Sequence, residues 1–348
     1  MKKMLALLLA LVMVLSLAAC ASSQPAATDA AASTETAETT ETTETTEPAA
    51  EAPAESGKTY TVGVCQLVQH EALDAATQGF VDALKEELGD AVTVDVQNAS
   101  GDSVNCGTIV NGFVSKGVDL IMANATPALT AAVSATADIP ILGTSITAYG
   151  VALDIDDFNG TVGGNVSGTS DLADLQAQAQ MILDWFPETK TVGLLFCSAE
   201  PNSRYQIDEV RKALEAQGVT CEEFAFTDSN DVSSVTQKAA DFSDVVYIPT
   251  DNTAASNTEA IANVLIPAGV PAVCGEEGLC RGCGVATLSI SYYDLGVTTG
   301  KMAAKILKGE ADISTMPVEY TDATPKYNAS VCEQLGITPL DGYEAIDG

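Results

Sequence analysis

Residues 66–80, QLVQHEALDAATQGF, contain the only histidine of the chain, His70, followed by Glu71 and Asp74. A zinc-protease helix needs a second histidine one turn after the first, but position 74 is an aspartate. A Ser-His-Asp triad would have to use His70, and no G-x-S-x-G turn, P-loop or G-x-G-x-x-G motif follows a predicted strand. We therefore expect no enzymatic activity. Gln66, His70, Leu73 and Asp74 are instead predicted to line a ligand-binding site.

A second cluster with potential chemistry is CGEEGLCRGC, which contains Cys274, Cys280 and Cys283. Its C-x-x-C spacing is typical of half a zinc site, but a structural zinc usually has four ligands and the second pair is missing nearby. A disulfide from Cys280 to Cys283 or to Cys274, and free thiols, both stay open. We expect neither a metal nor a cofactor.

Polar residues also cluster where predicted strands end and helices begin. Asp251 and Asn252 in PTDNT could accept hydrogen bonds from a ligand ammonium, although Asp251 could instead cap the following helix. Hydroxyl, amide and backbone N–H groups at helix starts suit a ligand carboxylate, with helix capping again as the alternative. The candidate residues of these clusters are Thr126, Pro127, Thr144, Ser145, Thr147, Ser198, Glu200, Asn202, Ser203, Thr250, Asp251 and Asn252.

Aromatic side chains could add walls to such a site. We expect one or two of Tyr149, Phe158, Tyr292 and Tyr293 to do so, and the others to pack in the core or at a hinge. Trp185 lies late in a predicted helix and is expected to pack against a sheet.

The elements that must position these residues alternate regularly from Tyr60 onward. Short apolar strands are followed by amphipathic helices, an order typical of parallel sheets with helices on both faces. A polar stretch, residues 146–170, separates two such runs, which predicts two lobes. Ligands of open parallel sheets bind beyond the carboxyl ends of the strands, so a cleft between the lobes is expected there.

The amino terminus predicts the compartment. Residues 1–19 have two lysines followed by an apolar run, as in a signal peptide, and LAAC, residues 17–20, resembles a bacterial lipobox ending at the lipidated Cys20. Residues 20–58 are rich in Thr, Glu, Ala and Pro, which predicts a disordered acidic tether. We expect a domain anchored by lipid to the outer face of the bacterial cell membrane.

Charge narrows the range of partners. The chain carries 48 Asp and Glu against 15 Lys and Arg, a formal net charge of −33. Such a surface repels phosphate backbones and anionic lipids, so we expect no nucleic-acid binding and no electrostatic attachment to a membrane. A monomer that binds a small molecule is predicted.

Seven segments together resemble the ABC-transporter substrate-binding family whose members include tryptophan-type, aromatic amino-acid-binding lipoproteins. They are HEALDAATQGF, VDLIMANATPA, IPILGTS, GNVSGTSDL, SAEPNS, SSVTQKAADFSDVVYIPTDNT and YYDLGVTTGKMAAKILKGE. The resemblance covers nearly everything from Tyr60 to about Pro339. The resemblance implies a type I periplasmic-binding-protein fold with three crossings between lobes. It also implies an amino-acid-like ligand, with aromatic amino acids among the candidates, delivered to a permease and its ATPase.

By that resemblance, lobe 1 comprises residues 59–153 and 286–312, and lobe 2 comprises residues 154–285 and 313–348. Two positions depart from the family pattern: Glu71, where proline is common, and residues 147–149, where a Thr-Asp-Pro turn is common. Glu71 is therefore expected to distinguish this ligand from those of relatives. Two alternative functions are open: the protein could bind a nucleoside or sugar for an ABC importer, or it could be a membrane-tethered sensory domain.

Overall fold

Two sheets dominated by parallel strands organise the chain in the computed structural model, which describes residues 58–346. The predicted signal peptide, the lipidation site Cys20 and nearly all of the predicted tether lie outside these residues. The strands are β1 Tyr60–Gln66, β2 Val92–Asn98, β3 Leu120–Asn124, β4 Ile141–Ile146, β5 Val166–Ser170, β6 Thr191–Cys197, β7 Thr220–Phe226, β8 Val245–Ile248, β9 Ala272–Cys274, β10 Ala286–Ser289, β11 Glu319–Tyr320, β12 Thr324–Tyr327 and β13 Glu344–Ala345.

Most connections between strands are helical. The α-helices are α1 Glu71–Leu88, α2 Ser103–Lys116, α3 Thr126–Ala135, α4 Tyr149–Ala152, α5 Leu175–Trp185, α6 Pro201–Glu215, α7 Val232–Phe242, α8 Asn252–Ala255, α9 Thr258–Ala268, α10 Glu277–Cys283, α11 Tyr292–Lys308 and α12 Ala329–Leu335. Short 3₁₀ turns occur at Gly89–Ala91 and Ile313–Thr315. Among residues 58–346, no helix combines the length and apolar character needed to cross a membrane.

Each sheet defines one lobe. The first lobe has a six-stranded sheet in the order β11-β5-β4-β3-β1-β2, and the second has a seven-stranded sheet in the order β13-β12-β10-β9-β8-β6-β7. Every strand pair of the first sheet is parallel, and only β10 and β12 pair antiparallel in the second. This confirms the predicted α/β fold class with two helix-flanked sheets.

Alternation along the central strands explains why helices cover both faces. In β3, Leu120 and Met122 pack into one hydrophobic cluster, whereas Ile121 and Ala123 pack into another on the opposite face. Successive side chains of a strand point to opposite faces, so a strand that is apolar throughout must be buried on both.

The division of the chain between the sheets differs from the expected lobe boundaries in three strands. β5 pairs with β4 and β11 pairs with β5, so both belong to the first sheet, whereas β10 pairs with β9 in the second. The chain was expected to leave lobe 1 at residue 154, but it first adds β5 to the sheet of that lobe. Gly168 permits this pairing, because it has φ +144 and a Cβ there would collide with the carbonyl oxygen of Gly143. The chain crosses between the sheets after β5, after β10 and after β11.

Candidate ligand-binding cavity

A cavity lies where the carboxyl ends of strands from both sheets approach one another. The space among its lining atoms, counted together with the open solvent at its mouth, is about 270 Å³. Its lining residues follow β1, β4, β5, β8 and β9 or begin helices α6 and α11, as the strand-end rule predicts. They are His70, Leu73, Ser145, Thr147, Asp171, Asn202, Thr250, Asp251, Asn252, Ala255, Glu276 and Tyr292.

Three buried polar atoms of this lining have no hydrogen-bond partner within residues 58–346. They are Oδ1 of Asp171, Oγ of Ser145 and Oδ1 of Asn202. A buried polar atom without a partner costs about 1–3 kcal/mol, so such atoms call for a partner from outside the protein. Ser145 also has φ 55, a left-handed conformation that is uncommon for serine and that clusters at ligand sites. These atoms mark the surface that a ligand would contact.

Asp171 is held in place by its second oxygen. The hydroxyl of Tyr292 donates to Asp171 Oδ2 over 2.9 Å, and both side chains are buried. Burial raises the pKa of Asp171, and hydrogen bonds from Tyr292 and Thr147 oppose that rise in part. The free oxygen of a carboxylate in this environment is suited to accept a hydrogen bond from a cation.

The two other acidic residues of the lining have both of their oxygens engaged by the backbone. Asp251 accepts from the N–H groups of Ala254 and Cys197, at 2.8 and 2.7 Å. Glu276 caps α10 by accepting from the N–H groups of Gly278 and Leu279, each at 2.6 Å. Asp251 therefore serves as a helix cap, which was the alternative to ligand contact. The free carboxylate oxygen expected of Asp251 is provided by Asp171 instead.

Burial dominates the acidity of these two carboxyl groups as well. It raises the pKa of Glu276 to about 7, and burial together with the nearby Glu200 raises the pKa of Asp251 to about 8. The cavity lining, as the described residues form it, includes no lysine or arginine. An ammonium group is thus favoured in the cavity, and a ligand carboxylate would have to rely on hydroxyl and amide donors.

His70 joins the two lobes at the edge of the cavity. Its Nε2 lies 3.2 Å from Oδ1 of Asn252. The side-chain N–H of Asn252 donates to Glu200 over 2.7 Å, which positions the amide. Burial lowers the pKa of His70, and the contact with Asn252 opposes that only in part. A neutral imidazole therefore forms part of the cavity wall.

Several predicted site residues do line the cavity, namely His70, Leu73, Ser145, Thr147, Asn202, Thr250, Asp251 and Asn252. Gln66 and Asp74 do not, because they bond to each other over 2.6 Å and Gln66 also accepts from Thr77. Thr144 is enclosed in the first lobe, where its hydroxyl contacts those of Thr169 and Thr299 at 3.1 and 3.2 Å.

The remaining candidates serve the local structure. Thr126 and Pro127 begin α3, and Pro127 borders a separate groove. Ser198 donates to the carbonyl of Phe226 over 3.1 Å, and Ser203 is fully buried beside Asp251. Glu200 accepts from the N–H groups of Asn252 and Thr253, at 3.0 and 2.9 Å, and so caps α8 from a distance in sequence.

Of the aromatic candidates, only Tyr292 lines the cavity. Tyr149 is buried, stacks on Phe158 at 6.3 Å between ring centroids, and donates to the carbonyl of Thr169. Tyr293 is exposed and donates to Asp82. Trp185 packs edge-on against Tyr343 in the core of the second lobe, as expected.

Glu71 lies outside the cavity, contrary to its expected role in ligand choice. Its carboxylate accepts from Nε of Arg281 at 3.0 and 3.1 Å instead of facing the lining residues. Glu71 is the first residue of α1, and its side chain contacts Arg281 on α10.

The residue patterns did not point to Asp171, Ala255 and Glu276. Asp171 directly follows β5, which lies in the polar stretch 146–170, and Glu276 follows β9 beside the cysteine cluster. Both are the first acidic residues after parallel strands, so the strand-end rule is the signal that points to them.

The cysteines form no cross-links in the described part of the chain. All eight between Cys65 and Cys332 are free thiols, and Cys274, Cys280 and Cys283 are fully buried in the second lobe. Among residues 58–346, no group of three or more His, Cys, Asp or Glu side chains is arranged to hold a metal ion.

Two sheets, three crossings and a polar cavity between the strand ends define a type I periplasmic-binding-protein fold. Residues 61–342 match the family described as ABC transporter substrate binding protein. The chain belongs to this family. A relative named tyrosine-binding protein, from Clostridioides difficile (strain R20291), is 32% identical over 276 residues, which are 78% of this chain and 79% of the relative.

Solved structures agree with this assignment. A Streptococcus pneumoniae domain in complex with L-Trp has a TM-score of 0.79 and 32% identity, covering 83% of this chain and 100% of that one. A ligand-free, open substrate-binding protein with adhesive properties from Clostridium difficile has a TM-score of 0.64 and 33% identity, covering 83% of this chain and 99% of that one. At nearly equal identity, the present structure is more similar to the complex than to the open form.

Proposed function

We propose that the protein is the extracytoplasmic, lipid-anchored solute-binding component of an ABC importer. It captures an amino acid, aromatic ones foremost, between its lobes and delivers it to a permease. The observation that carries this proposal is the unpartnered Oδ1 of Asp171, buried in a cavity that also holds the unpartnered atoms of Ser145 and Asn202.

These atoms match the polar part of an amino acid. Asp171 and Asn202 offer carbonyl-type oxygens to an ammonium group, and the hydroxyl of Ser145 can donate to a carboxylate. The face of Tyr292 and the side chain of Leu73 offer apolar contact for a ligand side chain. The names of the relatives, one tyrosine-binding and one solved with L-Trp, support an aromatic amino acid.

The membrane anchor is supported by the sequence of residues 1–20, whose apolar run ends at the lipobox-like LAAC. Replacement of Cys20 by alanine should move the protein from the membrane fraction to the soluble fraction or the medium. Recovery of the Cys20→Ala protein in the membrane fraction at the wild-type level would contradict lipid anchoring.

Ligand choice can be tested by thermal shift and calorimetry on the full chain with amino acids, nucleosides and sugars. A ligand that binds the folded state raises the melting temperature by mass action. At a free ligand concentration of about 100 times Kd, it adds about 2.7 kcal/mol to the free energy of unfolding. L-tryptophan or L-tyrosine should give the largest shift. A shift with a nucleoside or sugar, and none with any amino acid, would overturn the proposed ligand class.

A further inference from the structure

A salt bridge joins the two lobes just outside the cavity. Nε of Arg281, on α10 of the second lobe, donates to both carboxylate oxygens of Glu71, at the start of α1 in the first lobe. The side chains are 33% and 52% exposed. Neither residue lines the cavity, but Glu71 directly follows His70, which does.

The second lobe orients Arg281 for this contact. Nη2 of Arg281 donates to Glu277 over 2.8 Å, one helical turn earlier on α10. The other oxygen of Glu277 accepts from Lys326 over 2.6 Å, on β12. The contact with Glu277 restrains Arg281 within its own lobe, so its Nε meets Glu71 with little side-chain freedom left to lose.

Close packing accompanies the charge contact. A Cβ on Gly278 would lie 3.4 Å from Cβ of Glu71, so the first turn of α10 lies directly against the first turn of α1. Together with Glu276 and His70, Glu71 and Arg281 line one outer opening beside the cavity. This opening is the gap that must widen when the lobes separate.

We propose that the Glu71–Arg281 pair is a closure latch that slows ligand release without contacting the ligand. This inference rests on the proposed function, because it assumes that a ligand leaves when the lobes part. The pair can form only while α1 and α10 are in contact, so it stabilises the closed arrangement alone. Its effect therefore falls on the rate of dissociation rather than on association.

The exposure of the pair limits the size of the effect. Exposed ion pairs stabilise a structure modestly, which corresponds to about a two- to fivefold change in dissociation rate. Salt should weaken the latch, because the screening length falls from about 8 Å at physiological ionic strength to about 3 Å at 1 M.

The test measures ligand dissociation by stopped-flow fluorescence on the full chain, with L-tryptophan and L-tyrosine as probes. Glu71→Gln and Arg281→Gln should each accelerate dissociation about two- to fivefold, and the double variant should be no faster than the faster single variant. This non-additivity separates the pair from any loss of the favourable charge of Glu71 at a helix start. Lys116→Gln is the matched control, because it breaks the exposed Lys116–Asp95 pair within the first lobe.

Additive effects, or single variants with the wild-type dissociation rate, would refute the latch. If neither probe binds the wild type, these two aromatic ligands are ruled out, and amide hydrogen exchange then tests the latch without ligand. Exchange in residues 70–74 and 277–283 should be faster in Glu71→Gln than in Lys116→Gln. Equal exchange in the two variants would refute the latch in that case as well.

Discussion

Tyr292 and Asp171 form a hydrogen-bonded pair that presents one free carboxylate oxygen to the cavity. The tyrosine hydroxyl, at the start of α11, bonds Oδ2 over 2.9 Å, and Oδ1 has no partner in the part of the chain that the structure describes. The two residues come from segments 121 positions apart, so the fold itself assembles this acceptor. The pair fixes the direction in which the carboxylate can receive a ligand.

Asp171→Asn should weaken amino-acid binding by about 1.5–3 kcal/mol, or about ten- to 150-fold, because it removes a charge-assisted acceptor for the ligand ammonium. Isothermal titration calorimetry with L-tryptophan and L-tyrosine measures the loss. The melting temperature of the ligand-free variant should not fall, since a buried and incompletely paired carboxyl is replaced by a neutral amide.

Asp184→Asn is the control for this change, because Asp184 is an exposed residue on α5. It should leave the affinity unchanged. Binding by Asp171→Asn within twofold of the wild type would show that the ammonium lies elsewhere in the cavity.

Tyr292→Phe keeps the aromatic wall but removes the hydroxyl that donates to Asp171. Hydrogen bonds from Tyr292 and Thr147 oppose the rise in the pKa of Asp171. Without the Tyr292 hydroxyl, the carboxyl group of Asp171 should therefore keep its proton to a higher pH. We expect affinity to fall about three- to tenfold at neutral pH and to recover toward the wild-type value as the pH is raised. Affinities measured from pH 6 to 9 distinguish this outcome from a lost packing contact, which would reduce affinity equally at every pH.

The stability of the ligand-free protein should depend on pH through its buried acids. Glu276 and Asp251 have folded-state pKa values of about 7 and 8, above the ordinary values of 4.5 and 3.8. The folded state therefore retains protons that the unfolded state has released, and the free energy of unfolding must fall as the pH rises from about 5 to about 8. For Glu276 a rise from 4.5 to about 7 corresponds to roughly 3 kcal/mol.

Chemical denaturation at a series of pH values measures this fall. Glu276→Gln should flatten the curve between pH 5 and 7, whereas the exposed Glu333→Gln should not. A wild-type stability that rises over this range would show that these carboxyl groups are ionised in the folded protein.

Most of the fold could be predicted from residue patterns, because the strands are continuously apolar and the helices amphipathic. The pattern did not reveal β5, whose sequence VSGTS contains no large apolar residue beyond Val166. That strand is held by backbone pairing with β4 and by the close approach of Gly168 to Gly143, which residue hydrophobicity does not report. The expected boundary at residue 154 is misplaced for this reason.

The strand ends pointed to the region of the cavity but not to its details. Ser145, Asn202 and Thr250, predicted from strand ends, line the cavity. The role of each acid could not be predicted, because it depends on which oxygens the backbone already engages. Asp251 and Asp171 look alike in sequence, yet only the former caps a helix and only the latter has a free oxygen.

Helix α11 packs on α1 through glycines, and substitution there should destabilise the first lobe. A Cβ on Gly296 would collide with the carbonyl oxygen of Ala76, and one on Gly79 with the carbonyl oxygen of Tyr293. Gly296→Ala should therefore lower the free energy of unfolding by about 1–3 kcal/mol, since the two helices must separate to accept the methyl group.

Gly107→Ala provides the opposite expectation within the same lobe. Gly107 lies inside α2 with nothing within 4 Å of an added Cβ, so alanine should raise stability by about 0.5–1 kcal/mol through helix propensity. Urea denaturation of both variants measures the contrast. Because α11 also carries Tyr292 to the cavity, Gly296→Ala should weaken amino-acid binding while Gly107→Ala leaves it unchanged. Equal binding by the two variants would mean that the position of Tyr292 does not depend on this helix contact.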